Sequence, residues 1–471
     1  MPSPAGDDDL SASTSGDGPE LHSAVVVGGG IAGLAAARVL ARHADRVTLV
    51  ERDPLPDDNS PRRGTPQAAH VHGLLDLGAQ GLEAMFPGLR EELRAGGAPV
   101  FDHGAQACTR VWAGTIPQIE AGVAVQTVHR DVLEAAVRRR VTGLEKITVR
   151  DGATARGLRV EAGRITGLHV TGADGGQSTI AAEVVVDASG RYGRLPDLLE
   201  QAGYPRPRER AVDAKLAYAS RVLRVQEPLP GVHGLQQINQ APDRPRGAYA
   251  ADIGGGLWLV TLFGAAGDHP PTDDAGWEAY ARELGNTDLT ALLDQATPVS
   301  GVKRFTRTEN RRRHYRRMPT GLLVLGDALF AFNPVYGQGM TVAVQQAAAL
   351  EQALSRGSRV DQSFSRTAQR RIAGIARIPW LMSISEDLFW ERHVTGRRIP
   401  WTVRAAAGYK QRLLYLAAQG DRQVFETFLN VYHMRQHPAA MASPRILTKA
   451  LVRGRTASTP QATEAVDESG R

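Results

Sequence analysis

The chain has 471 residues, 42% of them hydrophobic and 23% charged, with a formal net charge of +6. That length calls for two or three structural parts around more than one core, and the composition excludes a disordered or fibrous chain. The single cysteine, Cys108, excludes an internal disulfide framework and a cysteine metal cluster, and makes a reducing cytoplasm the expected location.

Residues 1–22 are acidic, small and turn-forming, which predicts a disordered tail and not a secretory leader. Next comes "SAVVVGGGIAGLAAARVLARHADRVTLVERD". Ala24 to Val27 fit a buried parallel strand, Ile31 to Arg42 a helix, and Val47 to Val50 a second buried strand. Between the first strand and the helix stand Gly28, Gly30 and Gly33, spaced G-x-G-x-x-G. Gly28 permits the tight turn, Gly30 lets a pyrophosphate approach the backbone, and Gly33 lets the helix pack on the strand. The helix start at Ile31 and Ala32 offers free N–H groups to phosphate. Glu51 ends the second strand, where a carboxylate can accept from ribose hydroxyls, and Arg52 beside it completes this part of the candidate site. Strand, glycine turn, helix, strand and acid in that order predict a dinucleotide site.

"PRRGTPQAAHVHGLL" follows at 61–75. His70 and His72 alternate as on a strand, but no third ligand is implied, so no metal is expected. Residues 98–128 and 213–310 predict strands and loops, with helices near 274–295. The basic run "RRRHYRR" at 311–317 has two readings, a solvated face or a surface that attracts an anionic or carrier-bound substrate. Aromatics are only 6% and do not interleave with the basic runs, so no nucleic-acid partner is expected.

"GLLVLGDALFAFNPVYGQGM" at 321–340 separates FAD from a nicotinamide dinucleotide. A flavin needs a second site beyond the first glycine turn. Leu322 to Leu325 predict a buried strand, and Asp327 at its end can accept from ribityl hydroxyls. Pro334 blocks a premature helix, while Gly337 and Gly339 admit a flat ring. Met340 opens the strong helical run Thr341 to Leu354, whose N-terminus would stabilise negative charge on a reduced flavin. Residues 370–453 predict helices in which Trp380, Phe389, Trp390 and Trp401 pack as core, and residues 454–471 a second tail. No apolar run approaches the roughly 20 residues that span a bilayer.

With these motifs in order the chain resembles the single-component, FAD-dependent aromatic-hydroxylase superfamily, the group A flavin monooxygenases, over about residues 23–355. "VVVDASGRYGR" at 184–194 is a further match, and so is Arg130 in "VHRDVLEAAV", where the family carries an FAD-contacting arginine. The chain departs from the family pattern at Phe330, where His is common, at Thr341, where Asn is usual, and in the 187–194 stretch, which lacks the second acid-glycine form. A narrower resemblance joins 61–75 and "NPVYGQGM" to a bacterial polyketide-tailoring branch that holds both polyene epoxidases and flavin-containing cyclases. Arg63 there is either a flavin or phosphate contact or a surface arginine.

The resemblance implies an α/β fold: a Rossmann-like FAD-binding domain (23–97, 129–212 and 311–369), an inserted β-sheet substrate domain (98–128 and 213–310) and a C-terminal helical segment (370–453). It implies FAD as cofactor, with NADPH or NADH as donor, directly or through a partner reductase. The implied activity is monooxygenation, epoxidation or hydroxylation, of a large apolar small-molecule substrate such as a polyketide or polyene. The alternative is a cyclase in which FAD is structural.

Overall fold

Short runs rich in β-branched residues build a five-stranded parallel sheet in the order Leu322–Val324, Val184–Asp187, Leu21–Val27, Ala44–Val50, Ile147–Arg150. The computed structural model describes residues 21–227, 229–356 and 359–456. Residues 1–20 and 457–471, most of the two expected tails, lie outside the described residues. Leu21 and His22, assigned above to the N-terminal tail, already belong to the first strand, and the Leu21 side chain is buried.

The register matters for function. Val27 pairs with both Asp187 and Val50, and Asp187 with Val324. The residues that follow these strands, among them Gly28, Glu51 and Ala188, therefore emerge in one row at the carboxyl edge, where open α/β sheets bind their ligands. Helix Ile31–His43 covers one face of the sheet and packs on helix Gly339–Arg356, so the two glycine turns that precede these helices open toward the same space.

The second sheet has eight strands, mostly antiparallel, drawn from residues 107–116 and 217–305. Period-two alternation sorts its faces. Ala219, Leu223, Ala250 and Val260 lie on one face beneath helices Asp274–Glu283 and Thr287–Asp294, which contribute Trp277, Tyr280, Leu289 and Leu292 to the same core. The other face carries a cross-strand row, Ser220, Thr261, Tyr249 and Gln236 in register.

Four further helices, Arg377–Thr395, Trp401–Ala418, Arg422–Tyr432 and Pro444–Val452, close the structure. Trp380 and Trp390 are buried, but Trp401 is 72% exposed at the first turn of its helix and does not pack as core. Thr402, Arg404 and Ala405 around it are exposed too, so the first turn of this helix lies outside the core. No helix among the described residues is long and apolar enough to cross a membrane.

Candidate active site

A cavity of about 1530 Å³, open mouth included, runs from the first glycine turn to the second. Gly28, Gly30, Ile31, Ala32, Glu51 and Arg52 line one end, and Asp327, Pro334, Gly337, Gly339 and Met340 the other, with Arg130 between. A cavity that reaches from one glycine turn to the other suits an extended dinucleotide.

The three glycines of the first turn differ in what surrounds them. Gly28 has φ +107°, and a Cβ there would overlap the Ala188 carbonyl oxygen. Gly33 does not line the cavity: a Cβ on it would overlap the Gly28 carbonyl oxygen and lie 2.9 Å from the Gly28 carbonyl carbon. A Cβ on Gly30 would meet nothing within 4 Å. Gly28 and Gly33 are therefore packing constraints, and Gly30 is the open position.

Beside this turn lies a buried chain of charges. Glu51 Oε2 accepts from Gly29 N (2.6 Å) and pairs with Arg62 (2.9 Å), and Glu51 Oε1 accepts from Asp53 N (3.0 Å). Arg62 also pairs with Glu134 and donates to Gly29 O (3.0 Å). Glu134 in turn accepts from Arg130 (3.1 Å). Arg63 is exposed and does not line the cavity; its neighbour Arg62 turns inward instead. Nothing in "PRRG" separates the two arginines, because the choice is made by Glu51 and Glu134, which come from distant segments.

FAD fits these residues on local observations. Arg130 Nε and Ser189 Oγ are buried at the cavity wall without a hydrogen-bond partner among the described residues. Asp327 sits in a single 3-10 turn, Gly326–Ala328, and its carboxylate faces the cavity with no side-chain or backbone donor from the described residues. Burial pushes the Asp327 carboxyl up, while Arg191, Arg130 and Arg313 pull it down. An acceptor with no donor is suited to hydroxyls supplied by a ligand. Asp327→Ala is expected to weaken FAD binding by on the order of tenfold or more. Titrating apoprotein with FAD and following flavin fluorescence measures this, and an unchanged affinity would remove Asp327 from the site.

Beyond Pro334 and Gly337 a second pocket begins, about 780 Å³ with its mouth, sharing His72, Gly73, Pro334 and Gly337 with the first. Its walls are mainly apolar and aromatic, including Leu75, Phe101, Tyr218, Leu235, Tyr249 and Val335. His70 and His72 do not share a side. His72 lines both cavities, and its Nδ1–H donates to His70 O (2.8 Å), which leaves Nε2 an acceptor. His70 turns to the sheet and bonds Ser220 (2.7 Å). Burial lowers the His72 imidazole to about 3 and that of His70 to about 4. Tyr218 Oη is buried at the pocket wall without a partner among the described residues.

The C-terminal segment reaches this pocket, which sequence reasoning missed. His433, just after helix Arg422–Tyr432, accepts from Asp76 N at Nδ1 (3.2 Å) and so carries its proton on Nε2. That N–H donates to His103 Nδ1 (2.6 Å) and fixes the His103 proton on Nε2, which donates to the Gln236 side-chain amide 3.0 Å away with the amide oxygen turned toward the ring. Burial lowers His103 to about 4 and His433 to about 2, so the pair is neutral at ordinary pH and gives the pocket one polar wall. No signal in "NVYHM" marks this, since the contact spans 330 residues.

Asp387 was likewise not singled out. It is fully buried on helix Arg377–Thr395 and accepts from Tyr336 Oη (2.6 Å), Asn310 Nδ2 (2.7 Å) and Asn333 Nδ2 (2.9 Å). Asn333 and Tyr336 belong to the second glycine turn, and Pro334 starts a one-turn 3-10 helix there rather than only blocking a helix. Burial pushes the Asp387 carboxyl from its ordinary 3.8 up to about 7. Between those values the folded chain holds a proton that the unfolded chain has lost, so stability falls as pH rises from about 4 to about 7 and levels off above. Asp387→Asn keeps an acceptor for the two asparagines and can donate to Tyr336. It is expected to flatten urea midpoints between about pH 4 and 7 and to exceed the parent at the upper end. Parallel pH profiles would show that Asp387 does not titrate in this window.

Together the Rossmann-type edge, the glycine turns and the second turn at Asp327 define a FAD-binding oxidoreductase fold. The sequence profile of the FAD dependent oxidoreductases matches residues 24–321. Protein Rv3254 of Mycobacterium tuberculosis (strain ATCC 25618 / H37Rv) is 33% identical over 448 residues, covering 92% of this chain and 94% of that protein. The chain therefore belongs to the FAD-dependent oxidoreductase family and is a flavin-dependent oxidoreductase. Squalene epoxidase 5 of Arabidopsis thaliana is 22% identical over 68% of this chain and 58% of its own length. Among solved structures the myxobacterial chondrochloren halogenase CndH superposes with a TM-score of 0.62 at 19% identity, over 89% of this chain and 98% of that one. PqsL of Pseudomonas aeruginosa, a probable FAD-dependent monooxygenase, gives 0.60 at 17% identity, over 80% and 98%. At such identities these structures show the shared fold.

Proposed function

We propose that the chain is a FAD-dependent monooxygenase that transfers one oxygen atom to a large, mainly apolar small molecule of the polyene or polyketide kind. The observation that carries this reading is the apolar pocket that meets the FAD cavity at His72, Gly73, Pro334 and Gly337. When bound and reduced, FAD supplies activation of dioxygen. The chain's own residues do the rest. Glu51, Arg62 and Arg130 hold the dinucleotide end, Asp327 the sugar chain, and the N-terminus of helix Gly339–Arg356 favours negative charge at the ring. The aromatic walls exclude water and hold the substrate against the shared boundary. Tyr218 Oη offers a donor to an oxygen of the substrate. No side chain is required as an acid or base for oxygen delivery to an alkene, in keeping with neutral histidines around the pocket.

NADPH or NADH, directly or through a partner reductase, is the proposed electron source. The test is to reduce the FAD-loaded protein chemically and incubate it with apolar polyenes under isotopically labelled dioxygen. Mass spectrometry is expected to find one labelled oxygen in the product. An unlabelled isomer of the substrate would overturn oxygen transfer and establish the cyclase.

A further inference from the structure

The basic run lines a separate cleft from Arg312 to Arg317. This cleft, about 1450 Å³ with its open mouth, shares no lining residue with the FAD cavity or the apolar pocket. Arg312, Arg316, Arg317, Arg366, Arg370 and Arg377 face it, and no Asp or Glu does. A seventh arginine, Arg313, is already engaged, with Glu209 (2.7 Å) and Arg191 O (2.8 Å). None of the six forms an ion pair among the described residues, although Arg–carboxylate pairs are frequent elsewhere in the chain.

The placement works against folding unless something offsets it. Strand Arg208–Val212 pairs antiparallel with strand Asn310–His314 so that Arg210 stands opposite Arg312. Like charges directly opposite on one face destabilise a sheet. On the other face the same two strands set Glu209 opposite Arg313, so the chain does build a matched pair where no ligand is needed. Arg366 and Arg370 repeat the conflict at i, i+4 on helix Gln362–Ile375. Arg312 is held in place by the ring of Phe330, 5.1 Å from its centroid, the residue that stands where the resembled family has His. The guanidinium of Arg312 is held below its ordinary value by burial, then by Arg377 and Arg210. Tyr204, Tyr315 and Met318 add an apolar and aromatic margin to the cleft.

We propose that this cleft binds a phosphate-rich small molecule, a nucleoside diphosphate or a ligand with an equivalent pyrophosphate group. Several guanidinium forks around one concavity suit bidentate binding of phosphate oxygens, and the tyrosines suit a flat base. The strand Leu322–Val324 and the turn at Ala328 lie between the cleft and the FAD cavity: Leu322 lines the cleft, and Arg313 and Tyr315 donate to Ala328 O. The ligand is therefore an anchored or regulatory anion and not a group that reacts at the flavin.

The test uses the full-length, FAD-loaded protein, so that the dinucleotide cavity is filled, and titrates it calorimetrically with inorganic pyrophosphate and with ADP at about 0.15 M salt. Both are expected to bind saturably. The Arg366→Gln/Arg370→Gln double variant, altered only at exposed positions of the cleft, is expected to lose at least tenfold in affinity for each while keeping its flavin content and melting temperature. Absence of saturable binding, or binding unmoved in that variant, would overturn the proposal. So would binding of polyaspartate without binding of pyrophosphate, which would make the cleft a docking surface for an acidic protein.

Discussion

Replacing Glu134 with alanine is expected to cost the apoprotein about 3–5 kcal/mol of stability. Glu134 is buried and accepts from both Arg62 and Arg130. Without it Arg62 keeps Glu51, but Arg130 is left as a buried, unpaired guanidinium whose Nε already has no partner. Breaking one side of a buried pair is far more damaging than the net value of the pair, because the surviving charge stays out of water. Burial alone would raise the Glu134 carboxyl, but Arg130 and Arg62 hold it below its ordinary 4.5. Its contribution is therefore present above that pH and fades as pH falls through the lowered value. Both arginines line the cavity, so a bound diphosphate supplies charge of the missing sign. Urea unfolding with and without FAD measures both effects: the deficit should be large in apoprotein and narrower in holoprotein. A Glu134→Ala protein as stable as the parent would show that the arginines relax to solvent and that the network is not a constraint.

How the site became visible explains what was and was not legible. Local signals carried the backbone. Valine runs, glycine spacing and the terminal acid placed Gly28, Gly30 and Glu51 at one sheet edge, because a parallel strand and the turn after it are short-range features. The same holds for Asp327 and the helix after Gly339. Side-chain pairing across distant segments was not legible. Arg62 and Arg63 are adjacent and chemically identical, and only the position of Glu51 and Glu134 in space decides which turns inward. Glu134 did carry a weak signal, since it lies four residues after Arg130 on one helix.

The C-terminal helices show the same limit from the other side. Their apolar content predicted packing, and Trp380 and Trp390 do pack, yet the functional contacts from this segment are polar. Asp387 ties it to the second glycine turn, and His433 ties it to His103. An isolated Asp or His in a helical run reads as a surface group, and its burial depends on partners from as far as residue 103. Trp401 errs the opposite way, a large apolar residue left in solvent.

The second and third glycines of the first turn, Gly30 and Gly33, allow the strongest separation of fold from ligand. Gly33→Ala places a methyl group on the Gly28 carbonyl, a backbone atom that no side-chain rotation can move aside. Helix Ile31–His43 must then lift from strand Leu21–Val27, opening the buried interface of Leu34, Ala37 and Val26. Overpacking of this kind costs about 1–3 kcal/mol when neighbours can yield, and the upper end or more is expected where the neighbour is backbone. Gly30→Val differs in kind. Gly30 has an extended backbone at φ −81° and ψ 179°, and nothing lies within 4 Å of a Cβ there. The variant should fold with the parent's apoprotein stability and lose FAD, because the added side chain enters the space above the helix N-terminus where the pyrophosphate would rest. Denaturation of the apoproteins separates the two variants where flavin content on purification does not: Gly33→Ala fails in both, Gly30→Val only in the second. A Gly30→Val protein that retains flavin would mean that the pyrophosphate lies elsewhere along the cavity, and that the open space above Gly30 is not the phosphate seat.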